Sequence, residues 1–184
     1  QAKGHQFSLE QLLATDSEQA QRFYNGYFAT LYLSPRDYHR IHMPITGQLE
    51  QMSHIPGKLF SVSPLTTRKV ANLFARNERV VTIFTTPVGP MAMILVGAIN
   101  VASIETVWAG TITPPLASKI RHWHYPEDSQ QRIRLEKGVE MGRFNMGSTV
   151  ILLFAENSIE WDAAIQPQAS VRMGQKLAKK NITV

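Results

Sequence analysis

Two adjacent runs do most to constrain how this chain folds. Arg79-Val-Val-Thr-Ile-Phe-Thr-Thr86 is rich in β-branched and aromatic residues, and Met91 to Val96 is continuously apolar. Val88-Gly89-Pro90 turns the chain between them. The second run has the length of a strand buried on both faces. The longest apolar stretch, Met91 to Ile104, is broken by Gly97 and Asn100, well short of the ~20 apolar residues that a spanning helix needs. Similar punctuation recurs along the chain. Tyr27-Phe-Ala-Thr-Leu-Tyr-Leu33 reads as a strand stopped by Ser34-Pro35, and Gly47 to Ile55 alternates with a period of two until Pro56-Gly57. Ser103 to Val107, Thr111 to Thr113, Ile120 to His124 and Thr149 to Phe154 add shorter strands. Helical spacing is confined to three short pieces. These are Ser8 to Ala14, with Ser8 as cap and Leu9, Leu12 and Leu13 on one side, Ser17 to Phe23, and Arg68 to Phe74. Many short strands with a few short helices predict a mainly β fold, sandwich or barrel-like.

Length and composition narrow the class further. The 184 residues, 43% hydrophobic and 18% charged, make one domain, 1–184, with enough apolar content for a core. Cysteine is absent, which excludes disulfides, thiolate metal sites and a cysteine nucleophile. The net charge of +5 favours anionic partners such as lipid surfaces, yet it has no dense basic run. Gln1-Ala-Lys-Gly-His5 is polar, so it does not read as a signal peptide. A start on Gln rather than Met is the mark expected of a fragment. The basic tail, Lys176 to Val184, reads as loosely held.

Three stretches carry more polar chemistry than a plain β domain requires. Ser34-Pro-Arg-Asp-Tyr-His-Arg-Ile-His-Met-Pro44 packs hydrogen-bonding side chains between two prolines. His39 and His42 share a side if the segment turns, and face apart if it is extended. A metal pair would need a third ligand such as His54, His122 or His124. Acid–base work and plain backbone-satisfied histidines are the other two readings. Trp108-Ala-Gly-Thr-Ile-Thr-Pro-Pro115 reads on its own as a strand end and a stiff turn. Glu136 to Thr149 holds three glycines ahead of an apolar strand. Within it, a Ser148 hydroxyl can attack the carbonyl of Gly147 if the backbone is held bent, and Gly147 tolerates unusual backbone angles. A histidine is needed to take the proton.

Taken together, these stretches resemble bacterial phosphatidylserine decarboxylase proenzymes of the pyruvoyl-dependent family. The resemblance rests on Leu33-Ser-Pro-Arg-Asp-Tyr-His-Arg-Ile-His-Met-Pro44, Asn72-Leu-Phe-Ala-Arg-Asn-Glu-Arg79, Val96-Gly-Ala98 and Ile104-Glu-Thr-Val-Trp-Ala-Gly-Thr-Ile-Thr-Pro-Pro115. Glu136-Lys-Gly138 and Met141-Gly-Arg-Phe144, leading into Gly147-Ser148-Thr149, complete it. It implies self-cleavage between Gly147 and Ser148. The products are a β-chain segment of residues 1–147 and an α chain of residues 148–184, which stay together. Ser148 becomes a covalent pyruvoyl group, the cofactor (pyruvate) and the site of the Schiff base with substrate. The resemblance makes His42 the base in self-cleavage and His39 the proton-transfer residue of decarboxylation. The implied reaction converts phosphatidylserine to phosphatidylethanolamine and CO₂, peripherally at the cytoplasmic face of the cell membrane. Its partners are that substrate and the membrane surface, with no metal and no nucleic acid, and with homodimerisation open.

Two departures accompany the resemblance. The family's aspartate-bearing Pro-Ala-Asp-Gly type segment and its amphipathic N-terminal helices find no match here, and Asp37 belongs to a different motif. An N-terminally truncated piece of a longer proenzyme is therefore expected, with its own self-processing in doubt. Two other readings stay open on the residues alone. One is a non-catalytic β module that binds anionic lipid; the other is a serine hydrolase using Ser148 and His42. Phe60, Leu65, Trp123 and Tyr125 read as core before lipid groove, and Trp108 and Trp161 as packing.

Overall fold

The turn expected at Val88-Gly89-Pro90 joins the two strands at the middle of the main sheet. The computed structural model describes residues 8–99, 103–114, 118–128, 132–145 and 147–181. Gln1 to His5, Pro115 and the tail's Ile182 to Val184 lie outside the described residues. Strands β4 (Arg79–Thr86) and β5 (Gly89–Val96) pair antiparallel along their full length, from Arg79 opposite Val96 to Thr86 opposite Gly89. Gly89 has a φ of +99°, which only glycine adopts freely. The Thr86 hydroxyl closes the turn by donating to the Gly89 carbonyl at 2.6 Å.

Around this hairpin grows an antiparallel sheet. Its order is β1 (Tyr27–Tyr32), β11 (Thr149–Phe154), β5, β4, β3 (Gly47–Ile55) and β8 (Arg121–His124), and β9 (Arg134–Leu135) also pairs with β3. A second sheet has the order β2 (Arg40–His42), β10 (Glu140–Phe144), β6 (Ile104–Thr106) and β7 (Gly110–Thr113). Strands β12 (Ile159–Trp161) and β13 (Ala178–Lys180) form a separate ribbon. The fold is mainly β as expected, and among the described residues the sheets stay open and do not close into a barrel.

Alternation along the central strands explains why they read as continuous apolar runs. Val80, Phe84, Met91, Met93, Leu95, Val150, Leu152 and Phe154 pack in one core with Ile41, Met43, Ile104, Ile112, Met141 and Phe144 of the second sheet and its flanks. Their neighbours Val81, Ile83, Ala92, Ile94, Val96, Ile151 and Leu153 pack in another core with Leu12, Leu13, Leu73 and Phe74 of the helical layer. A strand with partners on both faces has no polar side to show.

The helices are short and capped. Helix α1 (Leu9–Leu13) starts on Ser8, whose hydroxyl accepts from the Gln11 N–H at 3.1 Å. Helix α2 (Ser17–Gln21) is capped by Asp16 rather than by its serine, through a 3.0 Å bond from the Gln19 N–H. The single helix expected over Arg68 to Phe74 is two pieces, α3 (Pro64–Lys69) and α4 (Leu73–Arg76). Val70 is extended and Asn72 takes a left-handed φ of 55°, a conformation asparagine tolerates better than most residues. That break lets Leu73 and Phe74 bury, each 3% exposed.

Arg79 ties helices to sheet. It is buried, and its guanidinium donates to the carbonyls of Leu12 (2.7 Å), Gln11 (2.7 Å), Ala75 (2.9 Å) and Asn77 (3.0 Å). Helix ends leave such carbonyls unpaired. Burial pushes the Arg79 pKa down to about 10. The described part of the tail, residues 176–181, is held rather than loose: β13 pairs with β12, with Lys179 on Glu160 and Lys176 on Asp162, each at 2.9 Å.

Candidate active site

Gly147 and Ser148 lie immediately before β11, just beyond the point where Thr149 pairs with Tyr32 at the end of β1. Ser148 is fully buried, and its hydroxyl donates to the Val96 carbonyl at the end of β5. Its own carbonyl accepts the Leu33 N–H at 2.7 Å. A Cβ at Gly147 would lie 2.7 Å from the Leu33 oxygen and 2.8 Å from both the Ser34 carbonyl carbon and the Pro35 nitrogen. Crowding by this backbone is a reason for glycine here. The junction is therefore clamped on one side by residues 33–35 and on the other by Val96.

The segment after Leu33 folds back on itself. Asp37 accepts the Ser34 N–H at 2.7 Å, and the Ser34 carbonyl accepts the Asp37 N–H at 2.9 Å. The same carbonyl accepts from His39 Nε2 at 2.9 Å. Asp37 is thus a turn-former. Since a carbonyl only accepts, the proton of that bond sits on Nε2, and the lone pair of a neutral His39 is on Nδ1. His39 is half-buried and lies one hydrogen bond from the backbone pressed against Gly147.

His42 has the opposite tautomer. Its Nδ1 donates to the Gly138 carbonyl at 2.8 Å, so Nε2 accepts from the Tyr38 hydroxyl at 2.8 Å. The Tyr38 ring stacks on it with centroids 5.7 Å apart. In the pairing of β2 with β10, His42 lies opposite Glu140 and Arg40 opposite Arg143, while the His39 carbonyl accepts the Phe144 N–H at 3.1 Å. The register therefore sets His39 on the side toward Gly147, with His42 about 10 Å further along at ~3.3 Å per residue.

Residues between β10 and the junction are fastened to β6. Arg143 pairs with Glu105 at 2.6 Å, and Asn145 donates to Glu105 at 3.2 Å and to the Ser103 hydroxyl. Hydrogen bonds from Arg143 first, then Asn145, hold the Glu105 carboxyl below the usual carboxylate range.

The other histidines among the described residues, His54, His122 and His124, lie elsewhere. His54, fully buried, has Nε2 on Glu78 at 2.9 Å, while Arg121 donates to its Nδ1 at 3.2 Å. Thr113 also donates to that Glu78 oxygen at 3.0 Å. His122 Nδ1 bonds the Ser53 hydroxyl at 2.8 Å. His124 lines a cleft of about 330 Å³ with Gln48, Glu50, Thr85 and Tyr125, at the end of the large sheet away from Val96. Phe60 packs against the helix-side core, and Trp108, Trp123, Tyr125 and Trp161 against the other. Leu65 is exposed. Sequence reading missed the Val96 carbonyl, since a backbone acceptor has no residue signature.

A family model described as phosphatidylserine decarboxylase matches residues 1–179. Among similar curated proteins, the phosphatidylserine decarboxylase proenzyme of Shewanella denitrificans is 59% identical over 98% of this chain and 63% of its own length. The proenzyme of Shewanella loihica is 58% identical over 97% of this chain and 63% of its own length. The chain thus spans a little under two thirds of these relatives. With the match reaching across the Gly147–Ser148 junction and both histidines of the 34–44 segment, the chain belongs to the phosphatidylserine decarboxylase family.

Proposed function

We propose that this chain carries the self-cleaving junction and the decarboxylation centre of an enzyme that converts phosphatidylserine to phosphatidylethanolamine and CO₂. The observation that supports this most is the buried Ser148 hydroxyl, held beside a glycine whose Cβ position is filled by other backbone. A Gly-Ser link hemmed in by other backbone, with its hydroxyl shielded from water, suits attack on its own peptide.

The proposed self-cleavage balances without an external oxidant. Ser148 Oγ adds to the Gly147 carbonyl carbon and loses its proton to a base. The C–N bond breaks, the amine takes up a proton, and an ester joins the two halves. Loss of the Ser148 Cα proton then expels the Gly147 carboxylate and leaves a dehydroalanine. Its imine tautomer takes up water, releases ammonia and becomes a pyruvoyl cap. His42 is the proposed base, because Gly138 fixes its tautomer with the lone pair on Nε2. Tyr38 must release that nitrogen first. The pyruvoyl group supplies a ketone that captures the substrate amine and draws off the electrons left by CO₂. His39, oriented by its Nε2 bond to the Ser34 carbonyl, is the proposed donor of the replacing proton. The reaction belongs at a membrane surface, peripherally on the cytoplasmic face, where the substrate's acyl chains reside.

Denaturing mass spectrometry on the protein as its natural gene encodes it is the test. Two chains divided between Gly147 and Ser148 are expected, the smaller carrying a borohydride-reducible carbonyl, and Ser148→Ala should stay whole. A single unbroken wild-type chain overturns the proposal. Labelling of that whole chain by a fluorophosphonate would identify a serine hydrolase instead.

A further inference from the structure

The carbonyl that receives the Ser148 hydroxyl is itself aimed by residues outside the catalytic set. The Val96 C=O shares one rigid peptide plane with the Gly97 N–H, so fixing the direction of one fixes the other. That N–H donates to the Glu78 carbonyl at 2.8 Å. The next carbonyl, of Gly97, accepts from Asn77 Nδ2 at 2.8 Å. Asn77 is fully buried; its Nδ2 also donates to the Phe60 carbonyl at 2.8 Å, and its Oδ1 accepts the Phe60 N–H at 3.1 Å. Both amide donors and an acceptor lone pair are therefore in use. The main chain beside it is equally tied, with Lys58 N–H on Arg76 at 2.9 Å and Glu78 N–H on Lys58 at 2.8 Å. A Cβ at Gly97 would stand 3.2 Å from the Glu78 oxygen, so the grip has little slack.

We propose that Asn77 is a positioning residue for self-cleavage, locking the Val96–Gly97 backbone so that the Val96 carbonyl holds Ser148 Oγ aimed at the Gly147 carbonyl. This rests on the self-cleavage reading above. Asn77 touches neither reacting atom. The Val96 oxygen cannot take the proton; it holds the hydroxyl hydrogen and thereby sets the serine rotamer and the direction of its lone pairs. Without the Asn77 clasp, the peptide plane can rotate, the acceptor moves, and the hydroxyl leaves its line of attack. A misplacement of about 1 Å in such a geometry costs on the order of a hundredfold in rate.

The test follows chain splitting in time after cell-free synthesis of the full natural protein, for wild type, Ser148→Ala, Asn77→Ala and Gly97→Ala. Each is run with and without hydroxylamine, which severs an ester wherever one has formed. Thermal melting establishes that each variant is folded at the assay temperature. Asn77→Ala should split about ten- to a hundredfold more slowly than wild type, and hydroxylamine should not restore it, because the attack that makes the ester is what fails. Gly97→Ala leaves Asn77 intact and presses on the same plane from the other side. It should slow splitting with the same indifference to hydroxylamine, and it decides the matter if Asn77→Ala does not fold. Splitting of the folded variants within twofold of wild type overturns the proposal, as does full restoration by hydroxylamine. Failure of wild type itself to split sinks the self-cleavage reading and this proposal with it, a pattern distinct from a wild type and an Asn77→Ala that split alike.

Discussion

His54 and the pair His39 and His42 show what different surroundings ask of an imidazole. His54 is sealed in, with one nitrogen on Glu78 and the other receiving a bond from Arg121. Removing its ring would leave the buried Glu78 carboxylate without its imidazole partner, at a large cost. His39 and His42 are half-buried, held by single backbone carbonyls and, for His42, by an exposed tyrosine hydroxyl. Their tautomers are fixed by these bonds, and none of the partners is a buried charge. The first environment builds a fold; the second leaves room for chemistry.

The largest expected effects lie in the half-buried pair. His42→Ala should leave the full-length protein as one chain, with splitting slowed about 10²- to 10⁴-fold and the melting temperature little changed. His39→Ala should still split, and its CO₂ release from phosphatidylserine should fall by a similar factor, read with carboxyl-labelled substrate. Register sets His39 nearer to Gly147, which makes the pair of variants informative in either direction. If His39→Ala blocks splitting and His42→Ala does not, the two roles must be exchanged.

Next in size come substitutions in the sealed environment. His54→Leu strands Glu78, which is 3% exposed, and should lower stability by about 3–5 kcal/mol in urea titration. Its splitting rate, at a temperature where it is folded, should stay within about threefold of wild type, well short of a catalytic loss. A large loss of rate with stability intact would erase the distinction between the two kinds of histidine. Arg79→Leu leaves the carbonyls of Gln11, Leu12, Ala75 and Asn77 without their donor and should cost about 3 kcal/mol or more. Because burial lowers the Arg79 pKa to about 10, the folded state releases that proton before the unfolded chain does. The penalty for its charge therefore operates below pH 10 and fades as pH rises above it.

These contrasts also separate what the sequence discloses from what it hides. Strands β3, β4 and β11 fall where Gly47 to Ile55, Arg79 to Thr86 and Thr149 to Phe154 were expected, because alternation or continuous apolarity follows directly from the layers they face. Arg40–His42, Glu140–Phe144 and Ala178–Lys180 give no such signal. They are short and rich in charge, and they become strands by pairing with partners distant in sequence. Val70, Leu73 and Phe74 share a helical spacing, yet Asn72 turns left-handed between them and the helix divides. At the candidate site, Ser148, His39 and His42 come from motif resemblance alone, whereas the Val96 carbonyl and the Asn77 clasp emerge only when the strand ends are brought together. A hydrogen bond to backbone depends on topology, and local residue pattern does not encode it.

The smallest effect concerns the fastening between β6 and the approach to Gly147. Glu105 sits below its ordinary pKa of 4.5 because Arg143 and then Asn145 donate to the ionised form. A depressed carboxyl contributes stability that is complete above the unfolded value and is lost as pH falls through the folded one. Glu105→Gln should therefore lower the melting temperature at pH 7 by at most about 2 °C, since the Arg143 partner is well exposed and screened by water. The difference from wild type should shrink below about pH 4.5 and vanish at lower pH, once both carry an uncharged side chain. If the difference persists unchanged at acid pH, Glu105 acts by shape alone. In that case the segment entering Gly147 is held by the Asn145 bond to Ser103, and the junction's alignment should be insensitive to acid over the range in which Glu105 is neutralised.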